Sequence, residues 1–190
     1  AAEKAFKCLR QIINWAIRKL KLRIWNPTQG IELPEKPVYR PKTITAKETA
    51  KRLRGFFGHK DEVTVILGST LAVRPGENYG IRWDDIDFRS GSVKINKSRQ
   101  YVRGEVIVLK TKTRKSNRIL YLPKFAKERL NKIWHDLGKP KGFVNPDCPQ
   151  NIARRIKSFS EKNKLPQVSM TNTRHSWATI AVEAGIAIET

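Results

Sequence analysis

Lys110-Thr-Lys112-Thr-Arg114-Lys115-Ser-Asn-Arg118 holds five cations and no acid. Such a run reads either as a solvated hairpin tip or as a contact for a phosphate backbone or minor groove. Upstream, Arg74-Pro-Gly-Glu77 follows an apolar stretch and precedes Ile81-Arg-Trp-Asp-Asp-Ile-Asp87. Taken alone, it is an ordinary junction between helices, with Glu77 in a local ion pair. Downstream, Thr173-Arg174-His175-Ser176-Trp177-Ala178-Thr179 opens a helix whose apolar face is Trp177, Ile180, Ala181 and Ala184. A cation at a helix N-terminus opposes the macrodipole unless an anion sits there, so Arg174 hints at phosphate binding. His175 reads as a hydrogen-bonded packing residue.

The whole chain points the same way. Its 190 residues carry 39 Lys plus Arg against 17 Asp plus Glu, a formal net charge of +22. That surplus repels itself in a compact state unless a polyanion relieves it, which makes nucleic acid the leading partner and an anionic membrane surface the runner-up. Hydrophobic residues make up 39%, enough for a real core and too many for a disordered basic tail. No apolar run approaches the roughly 18 residues that span a bilayer, and no secretory signal is visible. Cys8 and Cys148 are far apart with no CxxC, which excludes zinc fingers and disulfide scaffolds and fits a reducing, cytoplasmic setting. His59, His135 and His175 are too scattered for a sequence-readable metal site.

Apolar residues from Ala5 to Leu20 recur at helical spacing, so a basic amphipathic helix is expected over roughly 3–22, stopped by Asn26-Pro27. Three prolines at positions 34, 37 and 41 favour an extended tether, taken as a linker over 34–42. Thr45-Ala-Lys-Glu48 is a capping-box pattern that should start a helix running to about Phe57. Further helices are expected over 62–72, 124–137, 150–163 and 174–184, with Gly185 as a C-terminal stop. Strand candidates are 86–88, 92–95, 106–109 and 119–122, with Arg89-Ser-Gly91 as a turn, giving a small antiparallel sheet. The fold class is therefore α+β and mainly α-helical, with a small three-stranded antiparallel sheet. Residues 1–42 have 10 basic and 3 acidic groups, and residues 43–190 have 29 and 14, so both sides of the tether are cationic.

Arg74-Pro-Gly-Glu with Ile81-Arg-Trp-x-Asp-Ile-Asp, then Lys112-Thr ahead of Arg118-Ile-Leu-Tyr-Leu-Pro, then Arg174-His-Ser-Trp-Ala-Thr, resembles in order and spacing the tyrosine recombinase or phage integrase family. The resemblance covers residues 43–190 as an incomplete catalytic domain and identifies 1–33 as the last helix of a preceding helical core-binding domain. It implies metal-free and cofactor-free breaking and rejoining of double-stranded DNA through a 3′-phosphotyrosyl intermediate. Arg74 and Arg174 match the two arginines that grip the scissile phosphate; a planar, permanently charged guanidinium suits that task. Lys112 matches the general acid that protonates the 5′-oxygen leaving group, with Lys110-Thr111 as the alternative. Lys94, Lys97, Arg99 and Lys110 are expected at the DNA on the strand side. Arg114, Lys115 and Arg118 are expected there on the basic run, and Arg154 and Arg155 on a helix.

Two departures stand out. The family has His three residues before the second arginine, and here that position is Thr171, which can hydrogen-bond phosphate but cannot act as an imidazole. The family's Gly-His pair and nucleophilic tyrosine lie further on, and none of Tyr39, Tyr79, Tyr101 or Tyr121 matches the nucleophile. The chain reads as a fragment of a longer integrase, active there and inactive alone in cis. Self-association on DNA, as a tetramer in the longer protein, is expected, with the fragment itself a monomer. Two other readings compete. One is a non-catalytic DNA-binding protein with a recombinase-like fold. The other is a basic membrane-surface or RNA-associated protein.

Overall fold

A computed structural model describes residues 2–33, 40–110 and 117–186, apart from the side chain of Lys110. The chain divides into two compact units, Ala1–Arg40 and Pro41–Thr190, and the division falls inside the proline-rich segment.

In the first unit, α1 (Ala2–Lys19) is amphipathic yet buries none of its residues. Leu9, Ile12 and Trp15 remain 50–62% exposed. The chain then turns back along it. Asn26 Oδ1 accepts from the Thr28 N–H at 2.9 Å, and Asn26 Nδ2 donates to Asn14 Oδ1 at 2.7 Å. This is the Asx-type turn that Asn-Pro favours.

In the second unit, α2 (Ala46–Gly55) starts as its sequence requires: the Glu48 N–H donates to Thr45 Oγ1 and the Thr45 N–H to Glu48 Oε2. α3 (Glu62–Leu71) is apolar on nearly every face and buried almost throughout, so it forms the centre of the core. α4 (Pro75–Gly80) follows, then β1 (Ile86–Asp87) and β2 (Ser92–Ile95). The chain next leaves the sheet for a hairpin of β3 (Lys97–Val102) and β4 (Glu105–Lys110), then returns as β5 (Arg118–Tyr121). β1, β2 and β5 make the three-stranded antiparallel sheet, with Val93 opposite Leu120 and Ile95 opposite Arg118. The turn between β3 and β4 holds Arg103 and Gly104, both at positive φ. That conformation matches the twist of a two-residue hairpin.

Three helices complete the unit: α5 (Lys124–Asp136), α6 (Pro149–Lys162) and α7 (Met170–Glu183). Phe56, Ile66, Leu67, Ile95, Leu130 and Ile152 are among the most deeply buried side chains, so α2, α3, α5 and α6 share one core with the sheet.

Two expectations need correction. Val106–Leu109 belongs to a separate two-stranded sheet, paired with a strand over 97–102 that the apolar pattern did not reveal. α7 begins at Met170, where Ser169 accepts from the Asn172 N–H. Arg174 therefore stands one turn inside the helix, where the dipole argument loses its force. Among the described residues no helix is long and apolar enough to cross a membrane, and no group of three or more His, Cys, Asp or Glu could hold a metal ion.

Candidate active site

Arg74 owes its position to its neighbours. Ala72 ends α3 in the left-handed region (φ 51°, ψ 29°), which redirects the chain so that Val73 is buried and Arg74 emerges. Pro75 holds Arg74 in extended backbone (φ −65°, ψ 150°) and starts α4 with its ring preset for a helix. One turn on, Glu77 reaches back and its Oε2 accepts from the Arg74 N–H at 3.0 Å.

Glu77 is the hub of the site. It is 4% exposed, and its carboxylate accepts from Arg118 Nη2 at 2.8 Å, Arg118 Nη1 at 3.2 Å and Arg74 Nη1 at 3.2 Å. Burial pushes its pKa up. The hydrogen bonds from Arg118 and from the Arg74 backbone and side chain outweigh that and hold it at about 2. Arg118, the first residue of β5, is brought here by its pairing with Ile95. Arg174 comes from α7. Its pKa is lowered, first by burial and then by the charge of Arg74, with Arg118 adding to the effect and Glu77 opposing it.

Arg74, Arg118 and Arg174, together with Ala72, Tyr121 and Trp177, line one cleft of about 550 Å³. Two of the three guanidiniums pair with the single carboxylate of Glu77, which leaves a local net charge of +2. Arg174 forms no ion pair or hydrogen bond among the described residues, so its fork is available. This arrangement can hold a phosphodiester by its non-bridging oxygens and stabilise charge that builds on them.

Thr171 lies in the first turn of α7, exposed, and lines a neighbouring cleft of about 960 Å³ that also includes Pro75, Gly76, Tyr79 and Arg154. Lys112, Arg114 and Lys115 lie outside the described residues, and Lys110 ends β4. Lys94 is exposed on β2, and Arg154 is exposed on α6 with Asn151 Oδ1 at 2.9 Å.

Three residues expected at DNA are committed elsewhere. Arg99 is 5% exposed, donates to Asn145 O at 2.7 Å and Pro146 O at 2.5 Å, and stacks over Phe143 at 4.6 Å. Arg155 is paired with the fully buried Asp61 at 2.6 Å and with Asp147 at 2.7 Å. Lys97 is paired with Asp85 at 2.8 Å. In the structure Arg99 and Arg155 thus brace neighbouring segments of the fold. His175, expected to pack, is exposed.

The sequence reading missed Glu77 as a shared anchor, Arg118 as a member of the arginine group, and Tyr121 and Trp177 as cleft residues. The strand-like run Arg118-Ile-Leu-Tyr-Leu was a signal, since the two-residue period of a strand places Arg118 and Leu120 on one face of β5.

No protein-family model matches the chain. Among curated proteins it is 23% identical over 219 residues to the "Tyrosine recombinase XerC-like" protein of Caldanaerobacter subterraneus subsp. tengcongensis, covering 96% of this chain and 55% of that one. It is 35% identical over 81 residues to "Tyrosine recombinase XerC" of the same organism, covering 41% of this chain and 23% of that one. The chain thus spans about half the length of the first relative and less of the second. Among solved structures, the Tn1549 transposon integrase in complex with transposon right end DNA superposes with a TM-score of 0.79 at 16% identity, covering 96% of this chain and 66% of that one. This likeness establishes a shared fold. The chain is thus similar in sequence to proteins bearing the tyrosine recombinase name and shares the fold of a transposon integrase, on which its three-arginine cleft is built.

Proposed function

We propose that this chain supplies the phosphate-binding centre of a site-specific recombinase that breaks and rejoins double-stranded DNA. The observation that carries the proposal is the cleft lined by Arg74, Arg118 and Arg174, in which Arg74 and Arg118 share the Glu77 carboxylate and Arg174 does not. In this reading Arg74 and Arg174 each donate to the non-bridging oxygens of the scissile phosphate. Arg118 holds Glu77 in place and adds to the positive field. A tyrosine oxygen attacks phosphorus, the bond to the 5′-oxygen breaks, and Lys112 donates the proton that the leaving oxygen takes up. The guanidiniums stabilise the charge on the pentacovalent transition state. Residues 1–33 act as the end of a core-binding domain, 34–42 as the tether and 43–190 as the catalytic domain. The longer protein works as a tetramer on DNA. The complex of the Tn1549 integrase with transposon right end DNA supports duplex DNA as the substrate class.

The test uses the longer protein with a nicked suicide duplex that traps the covalent intermediate. A 3′-phosphotyrosyl adduct supports recombination, and peptide mapping should place it on a tyrosine outside these 190 residues. An adduct on Tyr121, the described tyrosine that lines the cleft, would overturn the assignment of the nucleophile. Binding with no adduct would favour the second reading, a non-catalytic DNA-binding protein. One observation favours that reading: Thr171, an alcohol where the family has an imidazole, faces the neighbouring cleft.

A further inference from the structure

α7 presents Arg174 and Trp177 to the arginine cleft, and the residues just before them, Thr173 and Ser176, to the interior at 3% and 2% exposure. With 3.6 residues per turn, adjacent positions differ by about 100° around the axis. A modest rotation of α7 would therefore swing Arg174 out of the cleft.

Two hydroxyls hold that rotation, and they do so in the same way. Thr173 Oγ1 donates its proton to Ser169 O at 3.0 Å, and Ser176 Oγ donates to Asn172 O at 2.9 Å. Each hydroxyl then has only lone pairs left to offer. Both are met from one stretch of chain. The Ile44 N–H donates to Ser176 Oγ at 3.0 Å, and Arg52 Nη1 donates to Thr173 Oγ1 at 3.1 Å.

Arg52 is an unusual residue for this duty. It is 1% exposed and lies over the Phe56 ring at 5.9 Å. Its Nε and Nη2 reach no hydrogen-bond partner, and it forms no ion pair among the described residues. Burial pushes its pKa down to about 10, with the nearby Tyr79 opposing, so it stays charged at neutral pH. A buried cation with no acid costs more than an apolar side chain of the same shape. Packing alone would be better served by Leu or Met.

We infer that Arg52 is a positioning residue: by donating to Thr173 it sets the rotation of α7 and so aims Arg174 into the cleft. The inference rests on the reading that Arg174 holds a phosphate. Arg52 touches no reacting atom and acts through Thr173.

The experiment compares this chain with Arg52→Met, Thr173→Val and the double variant. Nitrogen-15 spectra of the arginine Nε–H groups are recorded before and during titration with inorganic phosphate, alongside thermal melting. The double variant buries two apolar groups against each other and should melt at or above the wild-type temperature. Its Arg174 signal should nevertheless be displaced before any phosphate is added, while that of Arg74 stays in place. Phosphate affinity read at Arg174 should fall roughly tenfold or more, as displacement of a binding group does.

A double variant that folds and overlays with wild type in both the free spectrum and the titration would overturn the inference. Thr173→Ser, which keeps the acceptor, and Thr173→Ala, which removes it, are mild enough to decide the matter even if the double variant unfolds. Only Thr173→Ala should displace the Arg174 signal, and indistinguishable signals would refute the role. If wild type shows no phosphate response at Arg74 or Arg174, the phosphate reading fails. The free Arg174 signal then still decides the role of Arg52.

Discussion

Replacing Glu77 by Gln keeps its shape and removes the charge that Arg74 and Arg118 share. Its carboxyl is held at about 2 instead of 4.5, because hydrogen bonds and the Arg118 charge outweigh a burial that by itself favours the neutral acid. That displacement corresponds to a ceiling of roughly 3 kcal/mol. The Arg74 and Arg118 side chains are 63% and 28% exposed. Solvent screening through them brings the contribution to about 1–2 kcal/mol. The folded pKa lies below the unfolded one, so the contribution is complete above about pH 4.5 and is lost as pH falls toward 2. The assay is urea unfolding of wild type and Glu77→Gln in steps from pH 7 to 2.5. The stability difference should be about 1–2 kcal/mol at pH 7 and shrink through that window, because protonated Glu77 and Gln present nearly the same groups. A difference that is the same at pH 7 and pH 3 would show that Glu77 acts through shape, and the charge argument for the cleft would fall.

Arg74→Ala and Arg174→Ala in the longer protein should each lower suicide-substrate cleavage by roughly 10²–10³-fold while duplex binding falls far less, and equal losses would demote them to DNA-positioning groups. Ala72→Gly should raise the unfolding midpoint by relieving about 1 kcal/mol of left-handed strain, whereas Ala72→Val should lower it. Lys94→Ala and Arg154→Ala should each flatten the salt dependence of duplex binding by about 0.9 for every phosphate left without its cation, without changing stability. Arg99→Ala should do the reverse: about 2–3 kcal/mol less stability in urea melts, because two carbonyls are deprived of a charged donor, and an unchanged salt slope.

The helices were readable because their apolar faces recur at the helical period and their caps are local. Thr45 and Glu48 are three residues apart and meet as written. The strand over Lys97–Val102 was not readable, because Lys-Ser-Arg-Gln-Tyr-Val has too few apolar residues to show alternation, and its partner supplies what it lacks. Arg74 and Arg174 were legible through the spacing of whole motifs. The sharing of Glu77 between Arg74 and Arg118 was not, since it depends on a strand pairing 41 positions away. Charge is a poor guide to exposure: Arg52, Arg99 and Arg155 look in sequence like the solvent-facing arginines around them. Only packing shows that one is enclosed near Phe56 and Thr173, one against Phe143, and one on Asp61.

The excursion from β2 to β5 has its own consequence. Ile95 and Arg118 are paired, so the excursion leaves the sheet and re-enters it at two points that the sheet itself holds together. Its base is embedded: a side-chain carbon on Gly80 would meet the Lys97 carbonyl at 3.0 Å, and Arg99 is locked onto Asn145. Beyond Arg99 and Val108 the hairpin carries exposed Tyr101, Val102 and Val106 to a turn that any short insertion could extend. Lengthening a loop between fixed ends costs little additional closure entropy. Extending the turn between β3 and β4 should therefore leave Arg118 and the cleft behind it in place, because the sheet and the embedded base anchor the hairpin.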